Sequence, residues 1–195
     1  MQMICMSLNN TATPWFPGLT PQPLFGFSVR VGALHPLSRG VVSLRSADAR
    51  DAPRIQFNLL QAPEDMATMI RGVRACRRIY GTSPQKDMVD SEFFPGSAVQ
   101  SDAELAQLIR RHATHRSHPV GTRRMGLDAL AVVDAELRVH GIEGLRVADA
   151  SVLPEVPSGN TNVPSIMIGE KAADLLRGRD APGQVPADGA GLPTF

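Results

Sequence analysis

The spacing of apolar residues changes several times along this chain, and each spacing predicts a different element. Between Gly26 and Leu34, Phe27, Val29, Val31 and Ala33 alternate with Ser28, Arg30 and Gly32, the period-two pattern of a half-buried strand. Pro36 to Gly40 supplies turn residues, and Val41–Arg45 returns as a second strand, so the pair reads as an antiparallel hairpin with a five-residue loop. Ile55–Leu59 adds a short strand or edge. The period then becomes helical. From Pro63 to Tyr80, Met66, Met69, Ile70, Val73, Cys76 and Tyr80 fall on one face. Pro63 suits a first turn, Glu64 and Asp65 suit the positive end of the helix dipole, Arg74, Arg77 and Arg78 suit the negative end, and Gly81 can close it.

Ser101-Asp102-Ala103-Glu104 has the form of a capping box, opening a helix with Leu105, Leu108 and Ile109 that ends near Arg111. Leu137–Val139 and Leu145–Ala148 are short strand candidates. Pro164–Arg177 is the last helix. Its apolar residues lie on two sides (Ile168, Ala172 and Leu175; Ile166, Ala173 and Leu176), which predicts substantial burial, and Gly169 would let a neighbour approach closely. Residues 1–25, rich in Pro, Thr, Asn and Met, read as an irregular lead-in in which Trp15 and Phe16 pack on something or line a pocket mouth. Residues 179–195, rich in Gly and Pro, read as a disordered tail. The expected fold class is α+β, an antiparallel sheet with helices packed on one face.

Charge narrows the function. The 20 basic and 19 acidic side chains nearly cancel, which argues against nucleic acid as a partner. The Arg clusters at Arg71–Arg78 and Arg110–Arg124 are explained as solvated faces and helix C-terminal charge. Cys5 and Cys76 have neither disulfide-framework nor metal spacing, and no His/Cys cluster suggests a metal. No membrane span and no signal peptide is expected, and a cytoplasmic setting is the default.

Candidate chemistry concentrates in two segments, His118–Gly126 (HPVGTRRMG) and Gly144–Leu176. His35, His112, His115 and His140 suit turns or helix ends. His118 differs: Pro119 forces its backbone to be extended, Gly121 permits a sharp turn or a close approach to a ligand, and an imidazole is the side chain that accepts a proton near neutral pH. Spacing alone leaves a structural role open. In SGNTNVPS, Asn162 suits an N-cap, while Asn160 is freer to face a ligand and donate to a developing alkoxide. Asp149-Ala150-Ser151 ends a strand. Its small residues would admit a cofactor, and a plain strand-to-loop turn explains them equally. No G-x-S-x-G elbow and no G-x-G-x-x-G fingerprint occurs.

These two segments, together with GFSVRVGALHPLSRGVVSLRSADARDAPRIQFN and the helix after it, resemble the C-terminal part of the glucose–methanol–choline (GMC) oxidoreductases, in the branch of choline and alcohol dehydrogenases. The likeness runs from about Gly26 to Arg177. It implies a flavoenzyme that oxidises a small alcohol to a carbonyl with FAD, the hydride passing to flavin N5. By resemblance, His118 is the catalytic base, Asn160 hydrogen-bonds the substrate oxygen, and Asp149, Ala150, Asn160 and Thr161 contact FAD. Residues 26–142 would form the substrate-binding domain, and 143–178 a strand-loop-helix completing an FAD domain whose other half, the N-terminal partner, is missing. Ser117 departs from the bulky residue common before the family's histidine. Such a chain alone would leave Leu145–Val147 and the last helix with exposed apolar surface. A non-catalytic assembly module, or a lyase on the same scaffold, are the alternatives.

Overall fold

The computed structural model describes residues 1–6 and 26–178. Trp15, Phe16 and the Gly/Pro-rich tail lie outside the described residues. Among the described residues the elements are α+β in kind: four short strands in two two-stranded antiparallel sheets, and three α-helices. Two compact units, Met1–Arg116 and Ser117–Phe195, divide the chain.

In the first unit β1 (Gln2–Met6) pairs with β2 (Ser28–Gly32), Met3 opposite Val31 and Cys5 opposite Val29. A strand therefore stands at the start of the segment read as irregular. Its five residues carry too little of the segment's composition to show. The hairpin expected between β2 and Val41–Arg45 does not form. Instead β3 (Val41–Ser43) pairs with β4 (Arg54–Gln56). The intervening loop is held elsewhere: the buried Asp65 carboxylate accepts the amide hydrogens of Leu37 and Ser38, both at 2.8 Å, and the Ser38 hydroxyl at 2.5 Å. These bonds lower the Asp65 carboxyl below its ordinary range, although the largest single influence, burial, acts in the opposite direction.

Helix α1 (Pro63–Tyr80) has the expected limits. It packs closely on β2 because Gly72 lacks a side chain; a Cβ there would lie 2.3 Å from Val31 Cγ1. Gly81 closes α1 without entering the left-handed region, at φ −90°. Helix α2 (Asp102–His112) carries the predicted capping box: Ser101 Oγ accepts from the Glu104 amide at 3.2 Å, and Glu104 Oε2 accepts from the Ser101 amide at 2.9 Å. Leu105 and Ile109 of α2 bury against Met66, flanked by Met69, Ile70 and Val73. This apolar contact holds the two helices together, and Arg74 bridges their rim to Asp102 and to the Gln100 carbonyl. Ser101→Ala is expected to cost about 1 kcal/mol, measured as a lower midpoint of chemical unfolding, because the Glu104 amide loses its acceptor.

The second unit is built on Val133, Leu137, Val152, Ile168 and Ala172. Leu137–Val139 and Leu145–Ala148, expected as strands, make only single bridges, Val133 with Val139 and Arg138 with Arg146. The Val139 amide donates to the Leu145 carbonyl at 3.0 Å and the Val147 amide to the Leu137 carbonyl at 3.1 Å, and beside this short pairing Asp134 Oδ1 accepts the amides of Glu136 and Arg138, each at 2.9 Å. Helix α3 (Asn162–Leu176) buries Ile168 and Ala172, but its other side is not covered: Val163 is 72%, Ile166 59% and Met167 60% exposed. The burial expected on two sides is thus observed on one. Nothing lies within 4 Å of where a Cβ on Gly169 would sit, so that glycine serves no close packing among the described residues. No helix of the described residues is long and apolar enough to cross a membrane.

Candidate active site

The segment after Ser117 is drawn onto the core of the second unit one bond at a time. The Arg123 amide donates to the Ser151 carbonyl at 3.0 Å, the Met125 amide to Val152 at 2.8 Å, and the Gly126 amide to Val133 at 3.1 Å. Met125 then packs against the cluster that also buries Ile168 and Ala172 of α3. One core therefore fixes both the loop carrying His118 and the helix following Asn160. At the start of that loop Ser117 has φ 60°, in the left-handed region, and it reverses the chain just before the extended His118-Pro119 pair. Gly121, at φ 87°, makes the second turn, with the Leu153 carbonyl 3.5 Å from its Cβ position.

This arrangement brings His118 to the start of α3. The half-buried His118 places Nδ1 3.0 Å from Thr161 Oγ1, and the Thr161 amide lies 3.4 Å from the same nitrogen. Thr161 is buried, 8% exposed. Its carbonyl accepts from the Ser165 amide at 2.9 Å and from the Ser165 hydroxyl at 2.6 Å. Thr161, not Asn162, is the N-cap of α3, and its side chain makes no capping bond because its hydroxyl faces the imidazole. Asn162 is the first helical residue, and Asn160, one residue ahead of the cap, is exposed.

Asp149 and Ala150 immediately precede Val152 of the same core. They do not end a strand. Asp149 instead caps a short 3₁₀ turn, Ala150–Val152, its Oδ1 accepting from the Ser151 amide at 2.7 Å. Ser151 chiefly, with help from nearby Arg123, holds the Asp149 carboxyl below the ordinary carboxylate range against the opposing effect of burial. The first turn of α3 contains no acidic residue, and neither does its cap. The positive end of the helix dipole is left for an electron-rich group to meet.

Three of the other histidines take part in ordinary packing. His112 meets Phe94 edge-on at 5.0 Å, His115 stacks on Phe57 at 4.5 Å, and His140 Nε2 is 3.2 Å from the Gly126 carbonyl. No cluster of His, Cys, Asp or Glu among the described residues has the makings of a metal site. The pairing of His118 with the Thr161 hydroxyl was not visible in sequence. Forty-three positions separate the two, and only the shared core brings them together.

A family model described as GMC oxidoreductase matches residues 36–169, which include both the His118 loop and the first half of α3. The chain belongs to the GMC oxidoreductase family. Among curated GMC relatives, it is 47% identical to the oxygen-dependent choline dehydrogenase of Brucella anthropi over 156 residues, 79% of this chain and 28% of that protein. It is 44% identical to the enzyme of the same name from Escherichia coli, over 80% of this chain and 28% of that protein. The chain thus spans less than a third of the length of these relatives. Solved structures give the same answer. Pyridoxine 4-oxidase from Mesorbium loti superposes with a TM-score of 0.74 at 32% identity, over 85% of this chain and 33% of that one. An FAD-dependent oxidoreductase from Chaetomium thermophilum superposes at 0.71 and 31%, over 74% and 25%.

Proposed function

We propose that this chain is the substrate-side catalytic portion of an FAD-dependent enzyme that oxidises a small primary or secondary alcohol to a carbonyl compound. The observation carrying this reading is the approach of His118 to Thr161, which brings an imidazole to the start of α3, where the N-cap makes no side-chain bond and the first turn holds no acidic residue. Relatives named as choline dehydrogenases, and a similar solved structure named as a fungal aryl-alcohol oxidase, support it.

In this reading residues 26–142 carry the substrate side, and 143–178 complete the flavin domain. Asp149, Ala150, Asn160 and Thr161 would border the bound ring. The fit rests on α3, whose first turn is free of acidic groups and whose apolar residues Val163, Ile166 and Met167 are exposed beside it. The grip on the adenosine and pyrophosphate would come from further polypeptide, since no G-x-G-x-x-G turn lies in these 195 residues. The free thiols of Cys5 and Cys76 suit a reducing, cytoplasmic setting.

Bound FAD would supply the two-electron acceptor that takes the hydride. The chain's own residues prepare the alcohol for that loss. His118 removes the hydroxyl proton, and the electron pair of the O–H bond stays on oxygen. Asn160 donates a hydrogen bond to that oxygen as its charge grows, and its uncharged amide needs no counterion. Because His118 and α3 share one core, the imidazole is held before substrate arrives, which is where such positioning is most effective.

The test is anaerobic mixing of alcohols with the flavin-loaded protein. Loss of the oxidised-flavin absorbance, matched mole for mole by carbonyl product, is expected. Turnover with the flavin spectrum unchanged would indicate a lyase instead, and failure to hold flavin even with its other half supplied would indicate an assembly module.

A further inference from the structure

We propose that Thr161 is a positioning residue for His118, and that its hydroxyl holds the imidazole in the form whose Nε2 can accept a proton. This inference rests on the reading of His118 as the base. A neutral imidazole carries one hydrogen, and the partner of one ring nitrogen decides where it sits. Nδ1 faces the Thr161 hydroxyl at 3.0 Å. If Nδ1–H donates to Oγ1, the lone pair is left on Nε2, the nitrogen not engaged by Thr161.

The Thr161 amide points at Nδ1 as well, and that contact alone would favour the opposite tautomer. At 3.4 Å it is the longer of the two. The two donors also differ in what they can do when the ring is protonated. A backbone N–H can only donate, and an imidazolium nitrogen cannot receive it. The hydroxyl oxygen has lone pairs and accepts from Nδ1–H in the neutral and the charged ring alike. During the step the proton passes from the substrate hydroxyl to Nε2, the O–H pair remains on oxygen, and Nδ1 keeps its hydrogen on Oγ1.

The surroundings make this hydroxyl hard to replace. Thr161 is buried, and its carbonyl is tied down twice by Ser165. With its own side chain turned to His118, α3 begins without a side-chain cap, a place where Thr ordinarily serves the helix. No other described side chain is hydrogen-bonded to the His118 ring.

Selective ¹⁵N-histidine labelling of the flavin-loaded protein, with His118→Asn to assign the signal, reads the tautomer directly. The Nδ1–H form is expected for His118 in the unsubstituted protein. Thr161→Val should shift the ring to the Nε2–H form and slow flavin reduction by about 100-fold, the lower range of what a positioned base contributes. Thr161→Ser, which keeps the hydroxyl, should restore both. An Nε2–H ring in the unsubstituted protein overturns the proposal, whether or not the valine variant folds, and so does an Nδ1–H ring that survives Thr161→Val. Because the tautomer is read without turnover, its failure is separate from a failure of His118 to act as base, which the His118→Ala rate decides.

Discussion

Replacing His118 by alanine in the flavin-loaded protein is expected to slow flavin reduction by alcohol at least about 100-fold, within the range a positioned general base supplies. The loss should fall on the reductive half-reaction, seen by anaerobic stopped-flow as slower bleaching of oxidised flavin at saturating alcohol. Flavin content should stay near normal, because the His118 loop is pinned to the core through the amides of Arg123, Met125 and Gly126, not through the imidazole. An unchanged reduction rate would remove His118 from the chemistry and leave its bond to Thr161 as a purely structural contact.

Asn160→Ala is expected to slow the same step by about 100–1,000-fold, the usual cost of losing one donor to a developing oxyanion. Asn160 lies in the loop ahead of the cap and is exposed, so its loss should leave the fold of α3 intact. The helix and its core residues Ile168 and Ala172 do not depend on it. Retained flavin with slow reduction supports a role on the substrate oxygen. Loss of flavin with an undiminished rate in the remaining bound fraction would assign Asn160 to cofactor binding alone.

Helices were legible in this sequence where their ends carried specific chemistry. Pro63, Glu64 and Asp65 open α1 as expected, and Ser101 with Glu104 opens α2 through a reciprocal cap. Strand pairing was much less legible, because it depends on contacts between distant residues. Alternation identified β2, but its partner β1 stands more than twenty positions upstream, and Asp65 diverts the loop that would have made a local hairpin. The last helix was read as buried on two sides because its apolar residues are so arranged. The described residues cover one side, leaving Val163, Ile166 and Met167 outside.

The site was legible in parts. His118 stood out through Pro119 and Gly121, and the resemblance singled out Asn160, but nothing in either segment showed that His118 reaches the start of α3. The approach of His118 to the start of α3 is a property of the Val133–Val152–Ile168 core, whose residues look in sequence like any other apolar positions. The Thr161 hydroxyl is the clearest case. As a residue type it suits an N-cap, and only its distance to Nδ1 shows that the helix has given up this cap to a histidine.

The decisive measurement is anaerobic stopped-flow of the flavin-loaded protein against an alcohol and the same alcohol deuterated at its carbinol carbon. If imidazole and carboxamide flank an alcohol whose C–H bond breaks toward the ring, bleaching occurs and the deuterated substrate bleaches more slowly. A flavin that stays oxidised through turnover, or bleaches at the same rate with either isotope because another step limits it even in His118→Ala, would contradict the account.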